Sequence, residues 1–172
     1  MPGLINDLSS AKTLARNYAA RALARLGASE AAPHIAELAD DAVDSARTTA
    51  FMALGVLQAT EFEGILVAGL DDPSPIVRST AAEALGRIGA HDAIPRLRRT
   101  LDSDPNAEVR LHAVESLVLL GDAPSRNRVP QTLKAISWRV RLHPRWKKLR
   151  NAVENDEPLT PWVETGSWSP LS

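Results

Sequence analysis

A repeat of about 31 residues constrains this chain more than any other feature. Four segments end at Gly27, Gln58, Gly89 and Gly121, which lie 31, 31 and 32 residues apart. Counted back from these anchors, residue types recur in columns, with arginine eleven residues before, alanine eight before and leucine four before: Arg16, Arg47, Arg78, Arg110; Ala19, Ala50, Ala81, Ala113; Leu23, Leu54, Leu85, Leu117. A fixed period of this kind is typical of solenoids, whose units bury their apolar faces against each other.

Each unit reads as two antiparallel helices. The positions eight, five, four and one residues before an anchor fall on one helix face, and a second apolar pattern follows the anchor. Glycine suits the left-handed position that ends a helix, so Gln58 predicts a different ending for the first helix of the second unit. The pattern predicts an all-α, superhelical solenoid without a β-sheet, in which the alanine column is buried between helices.

The period also predicts the organisation of the chain. It gives repeats at 9–41, 42–72, 73–103 and 104–136, a degenerate cap at 137–154, and an extended or disordered acidic tail at 155–172. The residues Val109–His112 recur as Val140–His143, but Pro144 follows where an alanine is expected. Pro144 therefore either kinks the cap helix or marks its true start, because proline lacks a backbone donor.

The stretch Asp71–Gly89, with the sequence DDPSPIVRSTAAEALGRIG, resembles the HEAT-like repeat of phycobilisome-lyase proteins. The resemblance extends over residues 4–150. It implies a right-handed superhelix of about four hairpins plus terminal caps, with first helices outside and second helices lining the concave face. It also implies Arg–Asp ladders between neighbouring repeats, in which the arginine column would pair with three acids: Asp40, Asp71 and Asp102.

Motifs for catalysis and for bound cofactors are missing from the sequence. There is no cysteine, no Gly-x-Ser-x-Gly and no phosphate-binding Gly-x-x-x-x-Gly-Lys. His112 and His143 occupy equivalent repeat positions, which are too far apart to share a metal ion without convergent side chains. We therefore expect neither catalysis nor a metal or cofactor. No segment reads as a signal peptide or membrane span, so a cytoplasmic location is expected.

The net charge of −1 hides an asymmetric distribution. Residues 126–150 carry nine Lys or Arg and no acid, whereas residues 1–125 carry more acids than bases. On the second helices the first two repeats are acidic and the last two are basic: Glu30, Glu37, Glu61 and Glu63 against Arg96, Arg98, Arg99, Arg126, Arg128 and Lys134. Such a gradient forms either an electrostatic docking surface or an ordinary solvated face.

Tryptophan is confined to the C-terminal part of the chain. Trp138 and Trp146 alternate with basic residues, a pattern that fits either nucleic-acid binding or shielding of the last repeat. Trp162 and Trp168 lie in the acidic tail, which is hypothesised to fold back on the basic half.

Three functions are consistent with these patterns. The leading prediction is a non-catalytic scaffold that binds another protein on its concave face, with no membrane partner. The resemblance implies an alternative, a bilin-lyase-like protein that handles a chromophore. The basic C-terminal half offers a third, which is nucleic-acid binding.

Overall fold

The computed structural model describes residues 2–136 and 143–159, and in these ranges the regular elements are all helical. The predicted solenoid of helical hairpins is confirmed. Its α-helices are α1 (Pro2–Asp7), α2 (Thr13–Arg25), α3 (Ala32–Ala36), α4 (Asp44–Val56), α5 (Glu63–Gly69), α6 (Pro75–Arg87), α7 (Ile94–Ser103), α8 (Ala107–Leu119), α9 (Ala123–Arg126), α10 (Val129–Lys134) and α11 (Pro144–Glu154). Short 3-10 turns at Ser29–Ala31, Thr60–Phe62 and His91–Ala93 lead into the second helices, and Glu37–Asp40 extends α3.

The helices form two layers with the core between them. The first helices α2, α4, α6 and α8 lie side by side, and the second helices α3, α5, α7 and α10 pack against them. The leucine column is fully buried, and no residue of the alanine column exposes more than 1% of its surface. The predicted burial of the alanine column is therefore confirmed.

Small residues let the first helices approach to backbone contact. A methyl group added to Gly55 would lie 3.1 Å from the Cα atom of Ala84, and one on Gly86 would lie 2.9 Å from that of Ser116. The Ser116 hydroxyl donates to the backbone carbonyl of Ala82 at 2.8 Å. Neighbouring first helices touch far more extensively than neighbouring second helices. Because the closer-spaced layer of a curved stack is its inner side, we infer that the first helices, and not the second helices, line the concave face.

The arginine column ties each repeat to the next one. Nε and Nη2 of Arg47 donate to the two carboxylate oxygens of Asp72 at 2.7 and 2.9 Å, and its Nη1 donates to the Asp41 carbonyl at 2.8 Å. Arg78 pairs with Asp104 in the same way. Arg16 donates from Nη2 to Asp41 at 3.0 Å, and its Nε lies 2.7 Å from the other oxygen of that carboxylate. These six side chains are at most 14% exposed. The guanidinium fork matches a carboxylate in a fixed direction, so the ladder sets the register between repeats.

The prediction had the correct arginines but the wrong acids. Asp71 and Asp102 face Arg96 and Arg128 of the following second helices, and Asp40 is exposed. The ladder instead uses Asp41, Asp72 and Asp104. Each of these acids lies two residues before the N-cap residue of the following first helix. There each carboxylate also accepts a backbone N–H, from Val43, Ser74 or Asn106 at 2.8–2.9 Å. Arg110 donates to the Asp104 carbonyl at 2.7 Å, but Ala135 and Ile136 stand where the next acid would be.

All four anchors adopt the left-handed conformation, so the different ending predicted for the second unit is wrong. The φ angle is +66° at Gly27, +72° at Gly89 and +76° at Gly121, and Gln58 has a φ of +55°. The Ala59 amide closes its helix on the Leu54 carbonyl at 3.1 Å, as the equivalent amides do in the other repeats. The Gln58 side chain adds a bond to the Gly55 carbonyl at 3.1 Å.

Pro144 marks the start of α11, which is the second of the two predicted alternatives. His143 is the capping residue, and its Nδ1 accepts the Arg145 amide at 3.3 Å. Trp146 and Leu149 pack against the last repeat and expose only 5% and 0% of their surface, as expected of a cap. The predictions for Trp138, Trp162 and Trp168 lie outside the described residues.

Replacing Asp72 by alanine tests the register of the ladder. We expect Asp72→Ala to lower the free energy of unfolding by about 2–4 kcal/mol, because Arg47 loses its partner and the Ser74 amide loses its acceptor. The neighbouring Asp71→Ala removes only an exposed ion pair and should cost about 0–1 kcal/mol. Urea unfolding of both variants measures the difference, and equal losses would contradict the assigned register.

Replacing Gln58 by glycine should stabilise the protein by about 0.5–1 kcal/mol, because a left-handed backbone strains any residue with a Cβ atom. The reciprocal Gly89→Ala should destabilise it by a similar amount, since its Cβ would meet no atom within 4 Å and only the backbone strain would be felt. Thermal melting measures both changes. A lower melting temperature for Gln58→Gly would show that the Gln58 side-chain bond outweighs the strain.

Candidate partner-binding site

The basic residues predicted to form half of a docking groove are mostly engaged within the chain. Arg96 pairs with Asp71, Arg98 with Asp122, and Arg128 with Asp102. Arg126 donates to the carbonyls of Ala152 and Glu157 at 2.5 and 2.6 Å and lies 3.5 Å from Asp156. Of the predicted basic set, Arg99 and Lys134 are exposed and form no ion pair with the described residues. The surface of the second helices is therefore largely neutralised.

The pKa of Asp122 reflects this neutralisation. The Arg98 guanidinium, assisted by Ser125, holds the pKa of the Asp122 carboxyl below its usual range despite partial burial. On the acidic side of the predicted groove, Glu30, Glu37 and Glu61 are exposed, and Glu63 is partly buried. In the described part of the chain, no ion pair joins these four glutamates to the predicted basic residues.

A second surface, which we call the inner stripe, runs across the first helices. It comprises the positions 13, 9, 6 and 2 residues before each anchor, which fall on one helix face. Its members are Leu14, Tyr18, Arg21, Arg25; Ser45, Thr49, Met52, Val56; Ile76, Thr80, Glu83, Arg87; and Glu108, His112, Glu115, Leu119.

The open half of the inner stripe, on α2, α4 and the start of α6, combines apolar side chains with the basic residues Arg21 and Arg25. Leu14, Tyr18 and Ile76 expose 70%, 68% and 61% of their surface. The hydroxyls of Thr49 and Thr80 between them donate to carbonyls of their own helices at 2.8 and 2.9 Å, so they do not require an outside acceptor. Leu14 and Tyr18 lie one turn apart on α2 and form an exposed apolar pair, whereas Ile76 lies on α6, beyond α4.

The C-terminal half of the inner stripe is covered by the start of α11. Arg145 places Nη1 2.9 Å from Glu83 Oε2 and Nε 2.8 Å from Glu115 Oε1, while its Nη2 contacts the other oxygen of Glu115. Arg87 binds Glu83 Oε1 at 2.8 Å, and Nδ1 of His112 lies 3.4 Å from Glu83 Oε2. This group is called the carboxylate cluster below.

Aromatic rings close the carboxylate cluster. The Arg145 guanidinium carbon lies 4.9 Å from the centre of the Trp146 ring, within the range of a cation–π contact. The His112 and Trp146 rings meet edge to face, with 5.1 Å between their centres. Trp146, predicted either to bind nucleic acid or to shield the last repeat, is therefore part of the shield.

The carboxylate cluster shifts the pKa values of its members. Burial alone would raise the pKa of Glu83, but His112, Arg145 and Arg87 together hold it well below the usual range. Burial opposes the charged form of Arg145, and the two carboxylates outweigh it and raise the Arg145 pKa. Both carboxylates are thus engaged by guanidinium groups, so neither is free to act as a general base.

The sequence analysis missed Glu83, Glu115 and Arg145. A signal was present, because the column six residues before the anchor changes from Arg21 and Met52 to two successive glutamates. Arg145 had no such signal, since the cap departs from the repeat. Within the described ranges, no three His, Asp or Glu residues are grouped to hold a metal ion. No helix there has the length and apolarity needed to span a bilayer.

Comparisons with known proteins agree with the geometry. The family model for HEAT repeats matches residues 63–141, and that for the PBS lyase HEAT-like repeat matches residues 15–41. The chain is similar to a chain of the complex of CpcE and CpcF of phycocyanin lyase from Nostoc sp. PCC7120, with a TM-score of 0.64 and 21% identity. The match covers 89% of this chain and 96% of that chain, and at this identity it shows the fold. No curated protein matches the sequence.

Lowering the pH should remove the contribution of Glu83 to stability. Because its folded-state pKa is depressed, the carboxylate contributes fully above the ordinary glutamate pKa of about 4.3 and loses this contribution progressively as the pH falls from that value towards the lower folded-state pKa. We expect Glu83→Gln to cost about 1–3 kcal/mol at pH 7, with the gap to the unmodified protein narrowing steadily below pH 5.

Urea unfolding from pH 7 to pH 3 measures this gap, which is the difference in free energy of unfolding between Glu83→Gln and the unmodified protein. Glu108→Gln, an exposed change on the same stripe, should show no gap at any pH. A gap for Glu83→Gln that stays constant down to pH 3 would contradict the role given to the carboxylate.

Proposed function

Since the chain is a HEAT-repeat protein with repeats of the phycobilisome-lyase type, we propose that it is a non-catalytic scaffold that binds another protein. The observation that carries this proposal is the open half of the inner stripe. There Leu14, Tyr18 and Ile76 stand in solvent on a surface whose neighbouring hydroxyls are already satisfied. A cytoplasmic location remains a prediction.

The open half of the inner stripe has the composition of a protein-binding surface. Aromatic side chains with a polar tip are the commonest anchors of protein interfaces, and Tyr18 presents both parts to solvent. Met52 and Val56 on the next helix are only partly exposed and extend the apolar area. The first helices hold these positions on a rigid, closely packed layer, so binding would lose little conformational entropy.

Nucleic-acid binding is less well supported. Affinity for a phosphate backbone depends on lysines and arginines that are free to replace counterions. Four of the six basic residues predicted for the docking groove already contact carboxylates or carbonyls of the chain. In the basic run around Trp146, Arg145 binds two glutamates and Arg150 lies 3.9 Å from Glu154.

A bilin-lyase-like role is the second candidate, and the similarity to a phycocyanin lyase chain over most of both lengths supports it. That chain was solved in a complex of two proteins, which is also consistent with a protein partner for this one. Mixing the purified protein with a linear tetrapyrrole tests the second candidate. Saturable changes in the absorption spectrum, lost in Tyr18→Ala, would place a chromophore on the same stripe.

Site-specific photo-crosslinking tests the scaffold proposal. A photoreactive amino acid is placed at position 18 in host cells, and at position 61 on the opposite layer as a control, since Tyr18 and Glu61 are both exposed. We expect one defined protein to be crosslinked from position 18 and not from position 61. With that protein purified, Tyr18→Ala should weaken binding by about 30-fold or more, as expected of an aromatic anchor.

Equal crosslinking from both positions, or an unchanged affinity for Tyr18→Ala, would contradict the proposed surface. Thr48→Ala is the matched control for folding. It is a small change on the same layer, and the Thr48 hydroxyl bonds only to its own helix, at the Asp44 carbonyl.

A further inference from the structure

The terminal helix α11 inserts a cation between carboxylates that belong to two different repeats. Arg145, the second residue of α11, contacts Glu83 on α6 and Glu115 on α8, and its side chain is only 11% exposed. Glu115 is nearly inaccessible, with 3% of its surface exposed. The contact therefore joins three elements that are far apart in the sequence.

The pocket is shaped for a guanidinium group. Its carboxylate oxygens contact Nε, Nη1 and Nη2 of Arg145, and the guanidinium carbon lies over the Trp146 ring. A planar fork satisfies these contacts at the same time, whereas a compact ammonium cannot. Without Arg145, Glu83 would keep its pair with Arg87, but Glu115 would lose its guanidinium in a site that water reaches poorly, which is energetically unfavourable.

The helix that supplies the cation is attached in the manner of a bound peptide. It is 11 residues long, a length at which an isolated helix is only marginally stable in water. Three kinds of contact attach α11 to the solenoid. They are the ion pairs of Arg145, the buried side chains of Trp146 and Leu149, and the hydrogen bond from Arg126 to the Ala152 carbonyl. It has no partner in the arginine–aspartate ladder that joins the regular repeats.

We infer that Glu83 and Glu115 form a guanidinium-binding site, which the chain's own Arg145 occupies and which an arginine of a protein partner can take over. The ligand class is an arginine side chain, presented beside an aromatic residue as in the Arg145–Trp146 pair. When α11 leaves, the C-terminal half of the inner stripe joins the open half as one continuous surface across the first helices.

Chemical rescue tests the pocket in the full-length chain. Arg145→Ala removes the guanidinium and leaves Trp146 and Leu149 in place. N-ethylguanidinium should then raise the Tm of this variant in a saturable way, by roughly 3–6 °C at ten times its Kd. Arg145→Met, which keeps most of the volume of the side chain, serves as a second variant should Arg145→Ala fail to fold.

Three controls separate the pocket from general effects of the additive. Ethylammonium has the same charge without the planar fork and should leave the Tm of Arg145→Ala unchanged. Arg145→Ala/Glu115→Gln should lose the rescue, because the fork loses its main acceptor. Arg99→Ala, a change at an exposed arginine, should also show none. No saturable rise in either Arg145 variant, or an equal rise with ethylammonium, would overturn the guanidinium site.

Exchange of α11 is tested on the unmodified full-length protein. A synthetic peptide of residues 143–159 is added in excess to the isotopically labelled chain, and hydrogen exchange of the chain's own α11 amides is followed. We expect faster exchange with this peptide and no change with a peptide in which Arg145 is alanine. Unchanged exchange with both would make α11 a permanent cap and overturn displacement by a partner.

Neither experiment uses the partner of the open half. Failure of the guanidinium site therefore leaves the proposed function standing, and failure of crosslinking at position 18 leaves the guanidinium site standing.

Discussion

The close approach of neighbouring first helices determines most of what this molecule can do. Alanine, glycine and serine at the contacts bring the helix backbones together, as at Gly55 with Ala84 and at Gly86 with Ser116. Because this layer is the more closely spaced, the stack curves toward it, and the side chains that leave the contact face form one continuous stripe. Both candidate sites, the open half and the carboxylate cluster, lie on that stripe.

Charge pairing fixes the order of the repeats and also engages several of the basic residues of the second helices. The ladder Arg16–Asp41, Arg47–Asp72 and Arg78–Asp104 holds the first helices in register. A second set of pairs, such as Arg96 with Asp71, joins the outer helices. Four of the six basic residues predicted on the second helices are engaged by carboxylates or carbonyls of the chain, whereas Leu14, Tyr18 and Ile76 stand in solvent. This is why a protein partner fits the structure better than a nucleic acid.

After α10 the described part of the chain departs from the repeat pattern. Arg110 occupies the ladder position, yet the chain provides no acid where the next one would stand. The end is closed instead by α11, which begins at Pro144 and uses Arg145 and Trp146 rather than the regular columns. A closure made by one short helix and one buried cation is easier to exchange than a repeat locked on both sides by the ladder, and the guanidinium site rests on this difference.

The sequence by itself determined the number of helical hairpins, the buried columns and the arginines of the ladder, because these depend on a period that every repeat shares. It did not determine whether Asp71 or Asp72 binds Arg47. The two acids are adjacent and chemically identical, and only the backbone conformation of the loop decides which side chain points towards the arginine. Nor did it predict a left-handed backbone at Gln58, where packing of the whole repeat imposes a conformation that the residue disfavours.

Tertiary structure alone decided the sites. Glu83, Glu115 and Arg145 come from three elements, and only the stacking of α6 and α8 with the return of α11 brings them within hydrogen-bonding distance. In the same way, only the packed layers show that Arg96, Arg98 and Arg128 form ion pairs within the chain. Leu14 and Tyr18, by contrast, remain exposed to solvent. A repeat pattern specifies contacts between equivalent positions, whereas these arrangements depend on residues that break the pattern.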